Sequence, residues 1–185
     1  MAVLPIVRLG DPVLRTAAEP VDPERLSSRK FQKLVDDMVA TMRDADGVGL
    51  AAPQVGVGLQ LFVYEVADEE TPEAAIPLTV VVNPMLEPEG HELVYDWEGC
   101  LSIPDLRGLV PRHPALRLRA LDRQGEPIDR RVEGFEARIV QHEFDHLNGV
   151  VFLDRMRDMR SLAFYEEWEH YLREDDASPT AAKAE

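Results

Sequence analysis

Gly134-Phe135-Glu136-Ala137-Arg138-Ile139-Val140-Gln141-His142-Glu143-Phe144-Asp145-His146-Leu147 is the stretch on which the reading of this chain turns. Apolar side chains recur at Phe135, Ile139, Val140, Phe144 and Leu147, one stripe of an α-helix. Asn148-Gly149 supplies the stop. On that helix His142 and His146 stand at i and i+4, about 6 Å apart between Cβ atoms, so both imidazoles can reach one metal ion. Glu143 sits beside them, where a carboxylate can take a proton from an activated water. A surface helix with two histidines and a chance glutamate carries the same residues. A hydrolytic metal centre needs a third protein ligand and an open position.

That third ligand has to come from outside the helix. His170 lies downstream among Glu166, Glu167 and Glu169 and reads as a solvent-facing residue. His91 and His113 have no motif around them and read as surface residues. Cys100 stands in Glu98-Gly99-Cys100-Leu101-Ser102-Ile103-Pro104 and is the better candidate. A thiolate binds soft and borderline divalent metals strongly. Gly99 permits close backbone approach, and Pro104 restricts the chain beyond it. Cys100 is the single cysteine of the chain, so an intramolecular disulfide is excluded and a reducing compartment is expected.

Further out, Phe31, Leu34, Val35, Met38, Val39 and Met42 repeat with helical spacing, and Asp46-Gly47 stops that helix. Gly47 to Gly56 reads as a glycine-rich loop. Strands are expected at Gln60–Val66, Leu78–Val82, His91–Tyr95 and Leu116–Leu121. The last alternates Leu116, Leu118 and Ala120 against Arg117 and Arg119, a half-buried strand. Gln124-Gly125 turns it into a partner at Pro127–Val132. A third helix is expected over Ser161–Leu172. Strands clustered between a leading and a trailing helix, without βαβ alternation, predict an α+β fold with largely antiparallel sheet around the central His142–His146 helix.

The chain has 185 residues, enough for one domain with a substantial core, and no internal linker divides it. One domain is therefore expected over 1–185, with a flexible tail from about Glu174. Apolar runs such as Leu61–Tyr64 and Val80–Val82 fall far short of a bilayer span. The first residues lack a secretory signal, so the expected location is cytoplasmic. A formal net charge of −15 argues against a broad nucleic-acid grip. Arg155, Arg157 and Arg160 make the one small basic cluster noted.

Gly47-Val48-Gly49-Leu50-Ala51-Ala52-Pro53-Gln54, Glu98-Gly99-Cys100-Leu101-Ser102 and Gln141-His142-Glu143-Phe144-Asp145-His146 occur in that order. With these three motifs the chain resembles the peptide deformylase family from about Leu4 to Leu153. The resemblance implies that Cys100, His142 and His146 are metal ligands and that Glu143 is general base and later general acid. It implies that Gln54 and the backbone N–H of Leu101 stabilise the oxyanion. Val48, Gly49 and the segment around Gly99 would run along an extended substrate. Phe135, Ile139 and His142 would border the pocket for a first methionine side chain; plain core packing explains the first two equally well by periodicity. Arg138, beside that wall, is expected to reach solvent. Arg107 and Arg112 would lie near the site, on substrate carbonyls or on Glu98.

The implied reaction is hydrolysis of the formyl group from N-terminal formylmethionine, releasing formate and a free amine. The implied cofactor is one divalent metal ion, Fe²⁺ natively, although thiolate with two imidazoles also suits Zn²⁺, Ni²⁺ and Co²⁺. Implied partners are N-formylmethionyl peptides and nascent chains, with transient ribosome contact, weakened here by Glu166, Glu167, Glu169, Glu174, Asp175 and Asp176. Neither membrane nor direct nucleic-acid binding is expected. Two other classes share parts of the pattern. A metallo-endopeptidase would use the same helix with a different third ligand. A non-catalytic peptide-binding relative would lack a ligand or Glu143, and this chain keeps all four.

Overall fold

The computed structural model describes residues 1–67 and 75–173. The expected tail from Glu174 lies outside the described residues. Strands β1 (Gly49–Ala51), β2 (Leu61–Val66), β3 (Ile76–Pro88), β6 (Ala115–Leu121) and β7 (Pro127–Glu133) form one five-stranded sheet in the order β1-β2-β3-β6-β7. Strands β4 (Val94–Cys100), β5 (Ile103–Arg112) and β8 (Ala163–Phe164) form a second sheet, in that order. Every pairing between these strands is antiparallel. Two longer helices complete the frame, α1 (Arg29–Asp44) and α2 (Gly134–Leu147).

The large sheet is covered on both faces, which explains its continuous apolar runs. Side chains alternate along a strand, so Leu61 and Val63 face α1 while Phe62 and Tyr64 face α2. α1 buries Phe31, Val35, Met38, Val39 and Met42, the stripe expected from its spacing. The Ser28 side chain accepts from the Phe31 N–H and caps its start. α2 buries Ala137, Ile139, Val140 and Leu147 against β2, β3 and β6. A third cluster, Cys100, Ile103, Val110, Val151 and Phe152, lies under the small sheet with the short helix α3 (Phe152–Arg155). On β6, Leu116 and Leu118 point inward, while Arg117 pairs with Asp129 and Arg119 with Glu87 outside.

Several expectations need correction. The glycine-rich stretch is not all loop: Gly49–Ala51 pairs with β2, and Ala52–Val55 makes a 3₁₀ turn. Asp46-Gly47 follows the end of α1 as expected, with Asp46 in the left-handed region at φ 50°. The strand expected over His91–Tyr95 runs from Val94 to Cys100, so the cysteine motif ends a strand. β5 is absent from the sequence reading because Pro104, Gly108 and Pro111 interrupt its apolar pattern. It forms because β4 pairs with it directly through a two-residue turn, Cys100 facing Ile103. The third helix is shorter than expected. Ala163 and Phe164 are drawn off to pair with β5, and α4 (Tyr165–Glu167) begins only after them, continuing as a π-helix over Trp168–Leu172.

Candidate metal centre

α2 and the end of β4 bring three donor atoms together. The Cys100 Sγ and one ring nitrogen from each of His142 and His146 all lie within 4.8 Å of one another. Sγ stands 3.3 Å from His146 Nε2. Metal–sulfur and metal–nitrogen bonds of about 2.3 and 2.0 Å in a tetrahedron place neighbouring donors roughly 3.5 Å apart. The three side chains therefore fit one divalent ion with little movement. His146 is fully buried and Cys100 is 8% exposed, so the cluster sits at the base of a cleft, not on the surface.

Glu98 fixes the orientation of His142. Its Oε2 lies 2.9 Å from His142 Nδ1. A carboxylate only accepts, so Nδ1 carries the proton and the Nε2 lone pair is left for a metal. Glu98 is itself saturated: Arg112 donates to both of its oxygens at 2.9 and 3.0 Å, and Arg138 donates to Oε1 at 2.8 Å. Burial pushes the Glu98 carboxyl up, but the His142 bond and the Arg112 guanidinium outweigh it and hold it well below the carboxylate range. Arg112 also donates to Asp145 at 2.6 Å, and Asp145 accepts two bonds from Arg155. A chain of paired charges thus runs from Arg155 to the metal cluster.

Glu143 points from α2 toward the cleft. Its Oε2 is buried without a hydrogen-bond partner among the described residues. Burial pushes its pKa up to about 7. A Cβ added at Gly49 would fall 2.4 Å from Glu143 Oε1, so only glycine lets β1 pass this close to the carboxylate. Burial holds His146 well below its ordinary pKa and thus neutral, the form in which an imidazole can bind a metal. Gln54 is held by its own backbone: Oε1 accepts from the Ala51 N–H at 2.8 Å. Its Nε2 makes only long contacts, 3.6 Å to Cys100 Sγ and 3.4 Å to Ser102 Oγ, so its protons remain open to a stronger acceptor. Leu101 occupies the turn between β4 and β5 immediately after the cysteine.

The cleft has a volume of about 560 Å³. Val48, Gly49, Gln54, Gly99, Cys100, Leu101, Arg107, Phe135, Ile139, His142 and Glu143 all line it. Every candidate site residue except His146, buried behind the others, therefore faces one space. Phe135 is half exposed and Ile139 buried, so they form the rim and the floor of one wall. Two expectations fail nearby, those for Arg138 and His113. Arg138 does not reach solvent; it is buried against Glu98 and the Val110 and Val94 carbonyls. Of the two places expected for Arg112, it takes the second: it pairs with Glu98 and does not line the cleft. His113 is half-buried, and its Nδ1 is enclosed without a partner among the described residues.

The sequence reading missed Asp145, although it lies inside the histidine motif, because only the fold shows that it faces Arg112. It also missed Trp97 and Trp168 as cleft residues. Trp97 was legible in principle, three residues before the cysteine on an alternating strand. The basic cluster is not free: Arg155 and Arg160 pair with Asp145 and Asp158. His170 is exposed, meets the Tyr171 ring edge-on, and is not among the clustered donors. No helix among the described residues is long and apolar enough to cross a membrane.

Residues 3–161 match the family model described as polypeptide deformylase. The chain is 47% identical over 163 residues to peptide deformylase 1 of Bordetella pertussis, covering 87% of this chain and 92% of that protein. It is 44% identical over 164 residues to peptide deformylase 1 of Nitrosomonas europaea, with 88% and 92% covered. Among solved structures, the Met-Ala-Ser-bound class I type b peptide deformylase of Acinetobacter baumannii superposes with a TM-score of 0.78 at 39% identity, covering 84% of this chain and 99% of that one. The peptide deformylase of Thermotoga maritima gives 0.77 at 36%, covering 85% and 100%.

Proposed function

The chain belongs to the polypeptide deformylase family, hydrolases that act on N-formylmethionyl peptides, and we propose that Cys100, His142 and His146 hold its metal ion while Glu143 moves the protons. The convergence of one thiol and two imidazoles from β4 and α2 carries this reading. A divalent ion there supplies Lewis acidity, which makes water nucleophilic near neutral pH. Fe²⁺ is the proposed native ion, on family resemblance; the same donors accept Zn²⁺, Ni²⁺ or Co²⁺.

The remaining work falls to the chain itself. Glu143, at the cleft wall beside both histidines, accepts a proton from the attacking water. The formyl carbonyl oxygen gains charge as its carbon becomes tetrahedral. Gln54 Nε2 and the Leu101 N–H are the proposed donors to that oxygen, and such fixed donors are worth about 3–4 kcal/mol each. Glu143 then returns the proton to the departing amine as the C–N bond breaks, leaving formate and a free N-terminus. Val48, Gly49 and Gly99 offer backbone to an extended peptide. Phe135, Ile139 and the His142 ring border the methionine pocket, and Arg107 reaches the peptide beyond it.

The proposed substrates are nascent chains in the cytoplasm, met by transient contact with the ribosome. Pairing of Arg155 and Arg160 with carboxylates leaves little free positive charge to strengthen that contact. Incubating the purified protein with formyl-Met peptides and unformylated peptides, with products read by mass spectrometry, tests the reading. Loss of the formyl group alone is expected. Internal cleavage would favour an endopeptidase, and no reaction a peptide-binding role.

A further inference from the structure

One wall of the cleft, Arg107 apart, has no part in the reading above. Trp97 on β4 and Trp168 on the C-terminal helix face each other with ring centroids 6.1 Å apart, tilted by 59°. Tyr165 stands 5.5 Å from Trp168. The Arg107 guanidinium lies 5.1 Å from the Tyr165 ring and 5.9 Å from the Trp168 ring. It also crosses Gly99 so closely that an added Cβ would fall 1.2 Å from its Nη1. Trp97, Arg107 and Trp168 line the same cleft as Cys100, His142 and Glu143.

Part of this wall lies beyond the residues that match the family model. The match to the family ends at Ser161, and both Tyr165 and Trp168 lie past it. β8 brings them there by pairing Ala163 with Arg107 and Phe164 with Leu106. The Trp168 Nε1–H is buried and has no acceptor among the described residues. Buried indole N–H groups ordinarily find a partner, so this one is suited to a carbonyl arriving with a ligand.

We propose that Trp168 is a specificity-determining residue, which with Trp97 and Arg107 receives an aromatic side chain near the third residue of the formylated peptide. The position follows from spacing. Trp97 precedes Cys100 by three residues on an extended strand, so the wall stands about 10 Å from the thiol, and an extended peptide advances about 3.3 Å per residue. The chemistry follows from the wall. Tilted rings at this separation take a further ring edge-to-face or offset. The guanidinium offers a planar face for stacking. The inference rests on the assignment of this cleft to formylated peptides.

The test compares kcat/KM for formyl-Met-Ala-Phe and formyl-Met-Ala-Ala with the metal-loaded protein. The unaltered chain should prefer the phenylalanine peptide by about tenfold. Trp168→Ala should bring the ratio close to one, and Trp168→Phe should keep most of the preference, with melting curves confirming folded protein. A second readout needs no turnover. The chain has two tryptophans, so Trp97→Phe leaves Trp168 as sole emitter. Titration with Met-Ala-Phe should shift its emission, whereas Met-Ala-Ala at equal occupancy should shift it much less. The same ratio in the unaltered chain and Trp168→Ala overturns the proposal, as does emission indifferent to bound Met-Ala-Phe. Failure to deformylate either peptide overturns instead the reading on which it rests.

Discussion

At Glu143 and Cys100, a few atoms separate a binding site from a catalyst. Glu143 has one oxygen against Gly49 and the other buried without a partner among the described residues, so its carboxylate is held but not consumed by the fold. Replacing it with alanine leaves the three donor atoms in place. Glu143→Ala should retain its metal while turnover falls by about 10²–10⁴-fold, the usual range for a lost general base. Elemental analysis beside a formate assay checks both halves, and a fully active variant would remove Glu143 from the mechanism. Cys100→Ala leaves two ligands where a hydrolytic centre uses three, so metal content should collapse with activity. His170→Ala should change neither. The opposite pattern would move the third ligand to the C-terminal helix and revive the protease reading.

α2 is positioned by its ends as much as by its stripe. Gly149 follows the helix with φ 70°, and an added Cβ would lie 2.8 Å from the Arg15 carbonyl carbon. Both the left-handed backbone and the contact with another segment's backbone therefore call for glycine. Gly149→Ala should lower stability by about 1–2 kcal/mol from backbone strain, and more from the clash. Chemical denaturation measures the loss; an unchanged midpoint would mean that the Arg15 segment moves aside freely. The opposite side of α2 is tied by the Glu98, Arg112 and Asp145 pairs, all buried. Such pairs add little net stability as a set, but each fixes a direction, and here the direction is that of His142 Nδ1.

The candidate metal centre joins the two sheets, since β4 carries the cysteine and α2, packed on the larger sheet, carries both histidines. An ion bound to the folded state alone stabilises it by about 2.7 kcal/mol at a hundredfold excess over Kd. Chelation should therefore lower Tm in a single transition and abolish turnover together; a melting point blind to metal would place the ion elsewhere. Oxygen offers a further check on the proposed Fe²⁺. An oxidisable ion beside an oxidisable thiolate should lose activity in air faster than the Ni²⁺ form, with partial protection by catalase. Equal lifetimes would leave the hydrolase intact and withdraw that support for iron.

Local periodicity was enough to locate α1, α2 and the β6–β7 hairpin, because their apolar stripes answer to a single covered face. The meeting of Cys100 with His142 and His146 was legible for a related reason: ligand chemistry restricts residue type, and i, i+4 spacing is a property of the helix itself. β5 was not legible, since its prolines and glycine hide a strand that exists only because β4 lies beside it. The length of the C-terminal helix depended likewise on β5 competing for Ala163 and Phe164. The fates of Arg112, Arg138 and Asp145 required folding, because a charged side chain looks solvent-facing in a sequence until its partner, 14 to 40 residues away, is brought against it. Spacing along the chain reports contacts within one helix or hairpin. Contacts between elements depend on how those elements pack, and that packing placed Trp168 on the wall of the cleft.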